Sequence, residues 1–169
     1  DLKAGWSAAT SLLVLDRFKS PLLDGSGQLP LALGANGLET GALQAGLNLK
    51  PLALDRFSDL AGVPLGGTIA AKGRLQGPLD QLRPDLALEL TNPRFGPLQL
   101  LERWKGRLQG ALGQDLTLAM ESRSHSGSLN AALGSDGWPR RVRVQRDDGV
   151  FELQALGDDR RYRWNAEDF

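Results

Sequence analysis

Residues 68–77 read Thr68-Ile69-Ala70-Ala71-Lys72-Gly73-Arg74-Leu75-Gln76-Gly77, and this stretch decides the fold of the chain. Ile69, Ala71 and Leu75 share one parity and alternate with polar side chains such as Lys72 and Arg74. A period of two is typical of a β-strand with one buried face, because successive side chains of a strand point to opposite sides of the sheet. The stretch therefore predicts a half-buried strand.

The same alternation continues along most of the chain. It recurs in nine further segments, which are Leu29–Leu33, Leu43–Leu49, Leu86–Leu90, Leu98–Leu100, Leu116–Met120, Leu129–Leu133, Val142–Val144, Phe151–Ala155 and Tyr162–Trp164. Dipeptides that favour tight turns lie at Asp24-Gly25, Asn36-Gly37, Asp136-Gly137, Asp148-Gly149 and Gly157-Asp158. The sequence therefore predicts an all-β fold, a long antiparallel meander.

Leucine dominates the apolar side chains of this pattern. The chain has 169 residues, of which 34 are Leu, five are Val and one is Ile. Leu favours helices over strands, so the alternation must override the intrinsic propensity here.

Two motifs recur along the chain. Leu13-Val14-Leu15-Asp16-Arg17-Phe18 returns at 52–57 as Leu52-Ala53-Leu54-Asp55-Arg56-Phe57, and Gly73-Arg74-Leu75-Gln76-Gly77 returns identically at 106–110. Periods of 39 and 33 residues are typical of stacked supersecondary units, with chance similarity in a Leu- and Gly-rich chain as the alternative. We predict one fragment of a longer repetitive domain over 1–169. Its units are 12–51, 52–100 and 101–137, followed by C-terminal hairpins at 138–169.

Short helices are predicted where the Asp-Arg-Phe motif lies. Asp16 and Asp55 can each cap a helix N-terminus, and Gly62 can end the second helix. We expect these helices to close an open end of the sheet, with Phe18, Phe57 and Trp104 as end plugs. The alternative is that the motif only ends a strand in a turn.

The composition excludes several classes of protein. Twenty basic and 20 acidic side chains cancel, so the surplus of cations that nucleic-acid and anionic-membrane binders use is absent. The chain has no Cys, which excludes a disulfide framework and a thiolate metal site. Apolar runs such as Leu12–Leu15 are far shorter than the about 20 residues of a membrane helix. We interpret the chain as part of a longer protein whose membrane anchor lies outside it.

A catalytic or metal site would need His, Cys or carboxylate side chains that converge. The one histidine, His125, lies in the polar run 121–128, and we expect it to decorate a loop. Gly25-Ser26-Gly27 lacks the spacing of a phosphate loop or a nucleophile elbow. Asp147-Asp148 and Asp158-Asp159 are more typical of hairpin tips than of calcium sites. We predict no enzyme, no cofactor and no metal.

Arginines cluster near the C-terminus of the sequence, at Arg140, Arg141, Arg143 and Arg146. Arginines that alternate along a strand can bind phosphate head groups, and they equally suit a solvated outer face. Arg161 and Arg163 allow the same two interpretations, of which solvation is favoured.

The apolar side of the predicted sheet needs a partner. Leaving it in water would cost on the order of 30 kcal/mol at roughly 1.5 kcal/mol for each exposed Leu, well beyond the roughly 5–15 kcal/mol net stability of a domain. The face could fold on itself as a sandwich or flattened barrel, meet the next module, or bind an apolar ligand in a groove. We predict a groove lined by Leu31, Leu33, Leu47, Leu49, Ile69, Leu75, Leu86, Leu88, Leu90, Leu98, Leu100, Leu116, Leu118 and Met120.

Residues 54–90 resemble the repeat of the AsmA-like TamB proteins. The likeness is carried by Leu54-Asp55-Arg56-Phe57, by residues 65–78 and by Pro84-Asp85-Leu86-Ala87-Leu88-Glu89-Leu90. In that family a short helical segment precedes a strand that begins with Gly-Thr, then a Gly-x-Leu-x-Gly-Pro turn and a strand of alternating Leu. The likeness extends from Leu12 to about Met120. The hairpin from Trp138 to Trp164 looks most like cyanobacterial members, which are similar to a chloroplast inner-envelope translocon subunit.

This resemblance implies a long chain anchored at the inner membrane whose repeats build a curved half-pipe, the β-taco, across the periplasm. Its concave face would carry phospholipid acyl chains or strands of unfolded outer-membrane proteins, and its partner would be an outer-membrane assembly β-barrel. The corresponding compartment in a plastid would be the chloroplast intermembrane space. No nucleic-acid partner is implied.

Two other functions stay open. An exposed sheet edge could template client strands by backbone pairing. A purely structural β-sandwich or adhesin-like stalk would instead pack its Leu face fully against itself.

Overall fold

The computed structural model describes residues 1–35, 37–61, 63–122, 127–157 and 161–167. Fourteen strands form within these residues. They are β1 (Leu2–Ser7), β2 (Leu12–Lys19), β3 (Leu23–Gly34), β4 (Gly37–Thr40), β5 (Leu43–Ala53), β6 (Leu65–Gly77), β7 (Arg83–Phe95), β8 (Leu98–Gln99), β9 (Arg103–Gly110), β10 (Leu116–Ser122), β11 (Gly127–Leu133), β12 (Pro139–Arg146), β13 (Gly149–Ala155) and β14 (Tyr162–Glu167). The predicted all-β fold is confirmed.

All strand pairs are antiparallel, as the meander predicts, and only β4 and β8 lie beside the main path of the sheet. The spatial order is β1-β2-β3-β5-β6-β7-β9-β10-β11-β12-β13-β14, with β4 paired to β3 and β8 paired to β7 beside this path. Within the described residues β1 pairs only with β2, and β14 pairs only with β13. The sheet is therefore open, with two edges.

Side chains of one parity form a continuous apolar surface, which we call the inner face. Cross-strand pairing places one residue from each of twelve strands in a single row on it. The row is Leu2, Phe18, Gly25, Leu47, Gly73, Leu86, Leu108, Leu118, Ala131, Val142, Leu153 and Trp164. Most buried apolar side chains lie on this face. Among the described residues no second sheet packs on this face, and the sheet, which does not close into a barrel, has a curled, taco-like form.

One short helical stretch follows β5. A 3₁₀ helix, Leu54–Phe57, leads into the single α-helical turn α1 (Ser58–Ala61). A helix at the second Asp-Arg-Phe copy is thus confirmed, but the predicted cap is wrong. The N-cap is Ala53 without a side-chain hydrogen bond, and Asp55 lies inside the first turn. Gly62, the predicted end of this helix, lies outside the described residues.

The helix predicted at Asp16 is wrong. Asp16, Arg17 and Phe18 lie within β2. Arg17 pairs with Lys3 of β1, and Phe18 pairs with Leu2 of β1 on one side and with Gly25 of β3 on the other. Pairing with β1 and β3 thus keeps this copy of the motif in an extended strand.

Two predicted turns are confirmed and one is wrong. Asp136-Gly137 and Asp148-Gly149 lie at the turns on either side of β12. Asp24-Gly25 instead lies inside β3, where Gly25 pairs with neighbours on both sides. The turn before β3 is built at Ser20, whose hydroxyl accepts the Leu23 N–H at 2.9 Å. Asn36 and Asp158, from two further dipeptides, lie outside the described residues.

The two identical Gly-Arg-Leu-Gln-Gly motifs occupy equivalent positions, at the ends of β6 and β9. A Cβ on Gly73 would overlap the Asp85 carbonyl of β7, and a Cβ on Gly106 would overlap the Ala119 carbonyl of β10. The turns that follow are alike, because the backbone N–H of Gln81 donates to the Pro78 carbonyl and that of Gln114 donates to the Ala111 carbonyl, each at 3.0 Å. The Leu112 N–H donates to the Leu82 carbonyl at 2.7 Å and joins the two turns. The motif thus repeats in structure, while the boundaries of the predicted units stay predictions.

Candidate functional site: the inner face

The inner face divides into two parts that differ in burial. We call its residues on β7, β9, β10, β11 and β12, together with Leu54 and Leu100, the closed part. We call its residues on β1, β2, β3 and β5 the open part. Strand β6 lies between them in the sheet.

The closed part is a buried apolar core. Val144 is 0%, Leu100 1%, Met120 1% and Trp104 2% exposed. Leu90, Leu116 and Leu129 are also buried. Leu54 enters this core from the 3₁₀ helix, and the loop after β8 contributes Leu100. Apart from Leu116, these side chains form one buried apolar cluster with Leu54 and Leu100.

Trp104 organises one end of the closed part. Its indole N–H donates to the Leu101 carbonyl at 3.4 Å, and its ring lies where a Cβ on Gly127 would come within 2.7 Å. Ser122, the cross-strand neighbour of Trp104, is buried and donates its hydroxyl to Glu102 at 3.1 Å. The ring therefore fills the space beside Gly127, and the polar groups around it, the indole N–H and the Ser122 hydroxyl, are hydrogen-bonded.

The open part carries the same alternation without the same burial. No described side chain before Leu54 is buried. Trp6 is 52% and Leu13 is 37% exposed, and Leu47 and Leu49 are half-buried. Gly25 and Gly27 take two inner positions of β3 and supply no side chain that could cover their neighbours. Over β1, β2, β3 and β5, the inner face thus leaves apolar side chains partly exposed to solvent.

The structure brings ten of the fourteen predicted lining residues onto the inner face of the sheet. Leu90, Leu116 and Met120 are buried there, and the others are half-buried: Leu47, Leu49, Ile69, Leu75, Leu86, Leu88 and Leu118. Leu98 and Leu100 join the core from β8 and the loop after it. The predicted lining is therefore split between the two parts and β6.

Leu31 and Leu33 have the parity of Gly25 and Gly27 but lie at the end of β3 that pairs with β4 and not with β5, with Leu33 opposite Leu38. Leu33 is 89% and Leu38 64% exposed. The alternation of β3 continues into this hairpin, and the sequence pattern does not mark where the strand changes partner.

The three predicted end plugs differ in position. Trp104 lies in the core, Phe18 is half-buried on the inner face of β2, and Phe57 is 39% exposed. Leu54, on the same 3₁₀ helix as Phe57, is the side chain that enters the core. The sequence prediction missed Leu54, because only the direction of the helix decides which apolar residue points inward.

Leu108, Leu129, Ala131 and Val144 also belong to the inner face and were missing from the predicted lining. A signal for them existed, since the alternation of 129–133 and 142–144 has the parity of an inner face. Their register with Leu118 and Met120 becomes evident only from the pairing of β10, β11 and β12.

The outer face is polar and its charges are largely paired. Glu89 lies 3.1 Å from Arg103 and 3.5 Å from Lys105. In the arginine cluster, Arg143 on the outer face binds Glu152 at 2.7 Å. Arg140 and Arg146, which have the parity of Val142 and Val144 on β12, lie 3.7 Å from Asp136 and 3.0 Å from Asp148. Carboxylates of the same chain thus already neighbour three of the four arginines that could have held phosphate.

The described part of the chain contains no group of three or more His, Cys, Asp or Glu that could hold a metal, and no helix in it has the length and hydropathy of a membrane span. A hollow of about 570 Å³ against β2, β3, β5 and β6 is lined by apolar residues such as Phe18 and Leu47 together with polar ones such as Lys72 and Arg74. His125 lies outside the described residues.

Comparisons with models of protein families, with curated proteins and with solved structures find no match to this chain. The likeness to AsmA-like TamB repeats is therefore an interpretation of the sequence.

Proposed function

We propose that this chain is a non-enzymatic scaffold that shields apolar cargo on the open part of its inner face. The cargo would be phospholipid acyl chains or the apolar strands of unfolded outer-membrane proteins. The observation that carries the proposal is the row of inner-face residues from β1 to β14, of which the portion on β1, β2, β3 and β5 contains no buried side chain among the described residues.

The energetics favour a partner for this surface. Each Leu that passes from water to an apolar contact gains roughly 1.5 kcal/mol or more. Large exposed apolar surfaces on soluble proteins usually mark interaction sites. The side chains of the open part are apolar. The same face continues through β6 into the buried core of the closed part.

The resemblance of residues 54–90 to AsmA-like TamB repeats supports a setting for this activity. We place the chain in the periplasmic portion of an inner-membrane-anchored protein, or in the chloroplast intermembrane space in a plastid. There it would support outer-membrane biogenesis together with an outer-membrane assembly β-barrel. The sequence likeness is the support for this compartment and partner, and the apolar inner face is the support for binding apolar cargo.

Photo-crosslinking tests the proposal. A photoreactive phenylalanine analogue replaces Leu47 in the open part, Leu129 in the closed part or Lys72 on the outer face, and the protein is isolated from membranes containing phosphatidylethanolamine. We expect lipid or protein adducts at Leu47 and none at Leu129 or Lys72, as measured by mass spectrometry. The absence of adducts at Leu47, or equal yields at Leu47 and Lys72, would contradict the proposal.

A structural stalk is the second candidate, and the closed part favours it. Leu100, Met120 and Val144 are packed as in the interior of an ordinary domain. If the open part were packed in the same way against a neighbouring module, Leu47 would crosslink to protein of the same chain and not to cargo. The identity of the adduct therefore separates the two functions.

A further inference from the structure

The outer face carries one short basic sequence twice, in two different surroundings. Lys72-Gly73-Arg74 lies in β6, and Lys105-Gly106-Arg107 lies in β9. We propose that the copy in β6 forms a binding site for a phosphate ester. The site is the hollow of about 570 Å³ against β2, β3, β5 and β6, which we call the outer hollow.

The outer hollow opens on the polar side of the sheet. Two adjacent rows of outer-face residues line it, and the intervening residues of each strand complete the lining. The rows are Lys19, Asp24, Asn48 and Lys72, and Ser26, Gly46 and Arg74. The nearest inner-face residues on either side, such as Ala45, Leu49 and Leu75, do not line it. Each of the four strands pairs on both sides, so the hollow lies within the sheet and away from its edges.

Lys72 and Arg74 present free cations to this hollow. Both side chains are exposed, and neither forms an ion pair with a described residue. Lys72 lies opposite Asn48 of β5, which is neutral. Arg74 lies opposite Asp85 of β7, whose carboxylate lies 4.0 Å from Arg107 instead. The N–H donors of both cations are therefore available to a ligand.

In β9 the same three residues have acidic neighbours. Lys105 lies opposite Glu89 of β7, and its ammonium is 3.5 Å from the Glu89 carboxylate. Arg107 lies 4.0 Å from Asp85. One sequence thus gives a neutralised pair of cations in β9 and a free pair in β6, because the preceding strand of the sheet places Glu89 beside one lysine and Asn48 beside the other.

The outer hollow carries more positive than negative charge. Its lining has four cationic side chains and two carboxylates, which are Arg17, Lys19, Lys72, Arg74, Asp16 and Asp24. Asp24 and Asp16 are each paired with a lysine outside the lining, at 3.1 Å and 3.4 Å. Arg17 is paired with Asp1 at 3.1 Å. The two carboxylates therefore do not neutralise the cations of β6, and the local field favours an anion.

The donors at the outer hollow suit a phosphate group. Lys72 and Arg74 are two residues apart on one face, with about 6.6 Å between their Cα atoms, and a guanidinium group binds phosphate through two parallel hydrogen bonds. The Asn48 amide and the Ser26 hydroxyl, on neighbouring strands, add neutral donors. Gly46, opposite Arg74, has no side chain to fill the space between them.

The size of the outer hollow favours an ester over a bare phosphate ion. Small-molecule sites have about 300–1,000 Å³, and this hollow has about 570 Å³. A soluble phosphate ester and a phospholipid head group both supply this chemistry. Because the hollow and the inner face lie on opposite sides of the sheet, the site does not depend on the proposed cargo. A crosslinker in place of Lys72 removes one of the two free cations, so this site gives no adduct there.

Binding of glycerol 3-phosphate to paired variants tests the site. K72Q/R74Q removes the cations of β6, and the matched control K105Q/R107Q removes the same charge from β9. All four side chains are exposed, so both variants should keep the circular dichroism spectrum of the wild type. Isothermal titration calorimetry of the whole chain should give a Kd at least ~10-fold weaker for K72Q/R74Q, because charge-assisted hydrogen bonds are lost. The Kd of the control should stay within about 2-fold of the wild type.

A third variant gives the β6 copy the surroundings of the β9 copy. Asn48→Glu places a carboxylate opposite Lys72, as Glu89 lies opposite Lys105. Both cations of the site remain, and we expect glycerol 3-phosphate to bind at least ~3-fold more weakly because the new ion pair competes with the ligand. Unchanged affinity in this variant would contradict the role of the free cations.

Vesicles distinguish the two sources of the ester. Phosphatidylcholine vesicles with and without phosphatidic acid replace glycerol 3-phosphate in a flotation assay with the same variants. Binding of glycerol 3-phosphate that depends on Lys72 and Arg74 assigns a soluble ester, whereas such dependence only with phosphatidic acid assigns a head group. No binding of the wild-type chain to either probe at millimolar phosphate, or equal affinities of K72Q/R74Q and K105Q/R107Q, would overturn the proposal.

Discussion

The closed and open parts of the inner face have the same sequence pattern and different burial. Leu116, Leu118 and Met120 alternate in β10 as Leu43, Ala45 and Leu47 do in β5. In the closed part, Trp104 and Met120 belong to one buried cluster with Leu54 from the 3₁₀ helix and Leu100 from the loop after β8, whereas no described side chain before Leu54 is buried. Alternation therefore determines which residues share a face, and the segments that pack onto that face determine how far it is buried.

The largest effect is expected for Trp104. Trp104→Ala removes a buried ring and should lower the free energy of unfolding by about 3–5 kcal/mol. Trp6→Ala, in the open part, removes a ring that is 52% exposed and should cost about 1 kcal/mol or less. Urea denaturation of both variants measures the difference, and equal losses would remove the distinction between the two parts.

The helical plug gives the next effect. Leu54→Ala should lower the free energy of unfolding by about 2–4 kcal/mol because its side chain is buried in the core. Phe57→Ala, on the same 3₁₀ helix, should cost less than about 1 kcal/mol since Phe57 is 39% exposed. Thermal denaturation of the pair checks the assignment, and a larger loss for Phe57 would reverse it.

A smaller loss is expected for a glycine of the repeated motif. Gly106→Ala places a Cβ against the Ala119 carbonyl, and accommodating it should cost about 1–3 kcal/mol. Gly5→Ala is the matched control, because a Cβ on Gly5 meets nothing within 4 Å. Chemical denaturation should separate the two variants, and a neutral Gly106→Ala would show that β9 and β10 can move apart.

The smallest effect is expected in the β3–β4 hairpin. Leu33→Ser changes a side chain that is 89% exposed, so the free energy of unfolding should change by less than about 0.5 kcal/mol. A loss of several times that size, measured in urea, would mean that the hairpin packs against the sheet in solution.

Much of the fold could be predicted from the sequence, because strand alternation is a local property. The shared face of Leu86, Leu88 and Leu90 with Leu116, Leu118 and Met120 follows from parity once an antiparallel meander is assumed. The two Leu-x-Leu-Asp-Arg-Phe copies show the limit of this reasoning. One is a strand because β1 and β3 pair with it at Phe18, and the other becomes helical just after Ala53, the last residue of β5 to pair with β6.

The candidate site was less predictable. Leu33 and Leu47 have the same kind of alternating neighbours in the sequence, yet Leu33 is exposed where β3 pairs with β4, while Leu47 is half-buried where β5 pairs with β3 and β6. Likewise the sequence does not distinguish Leu75, half-buried on β6, from Leu129 in the core. Both differences depend on how far the sheet curls, which is a property of the whole chain.

Thiol labelling of single cysteines tests the division of the inner face most directly, since the chain has no Cys of its own. Leu47→Cys lies in the open part and Leu129→Cys in the closed part, each in the interior of a strand. Reaction at a buried thiol requires local opening of the structure, so Leu47→Cys should react with a maleimide at least ~10-fold faster than Leu129→Cys. Equally slow reaction at both positions would contradict the account, because the leucines of β5 would then be sealed as tightly as those of β11.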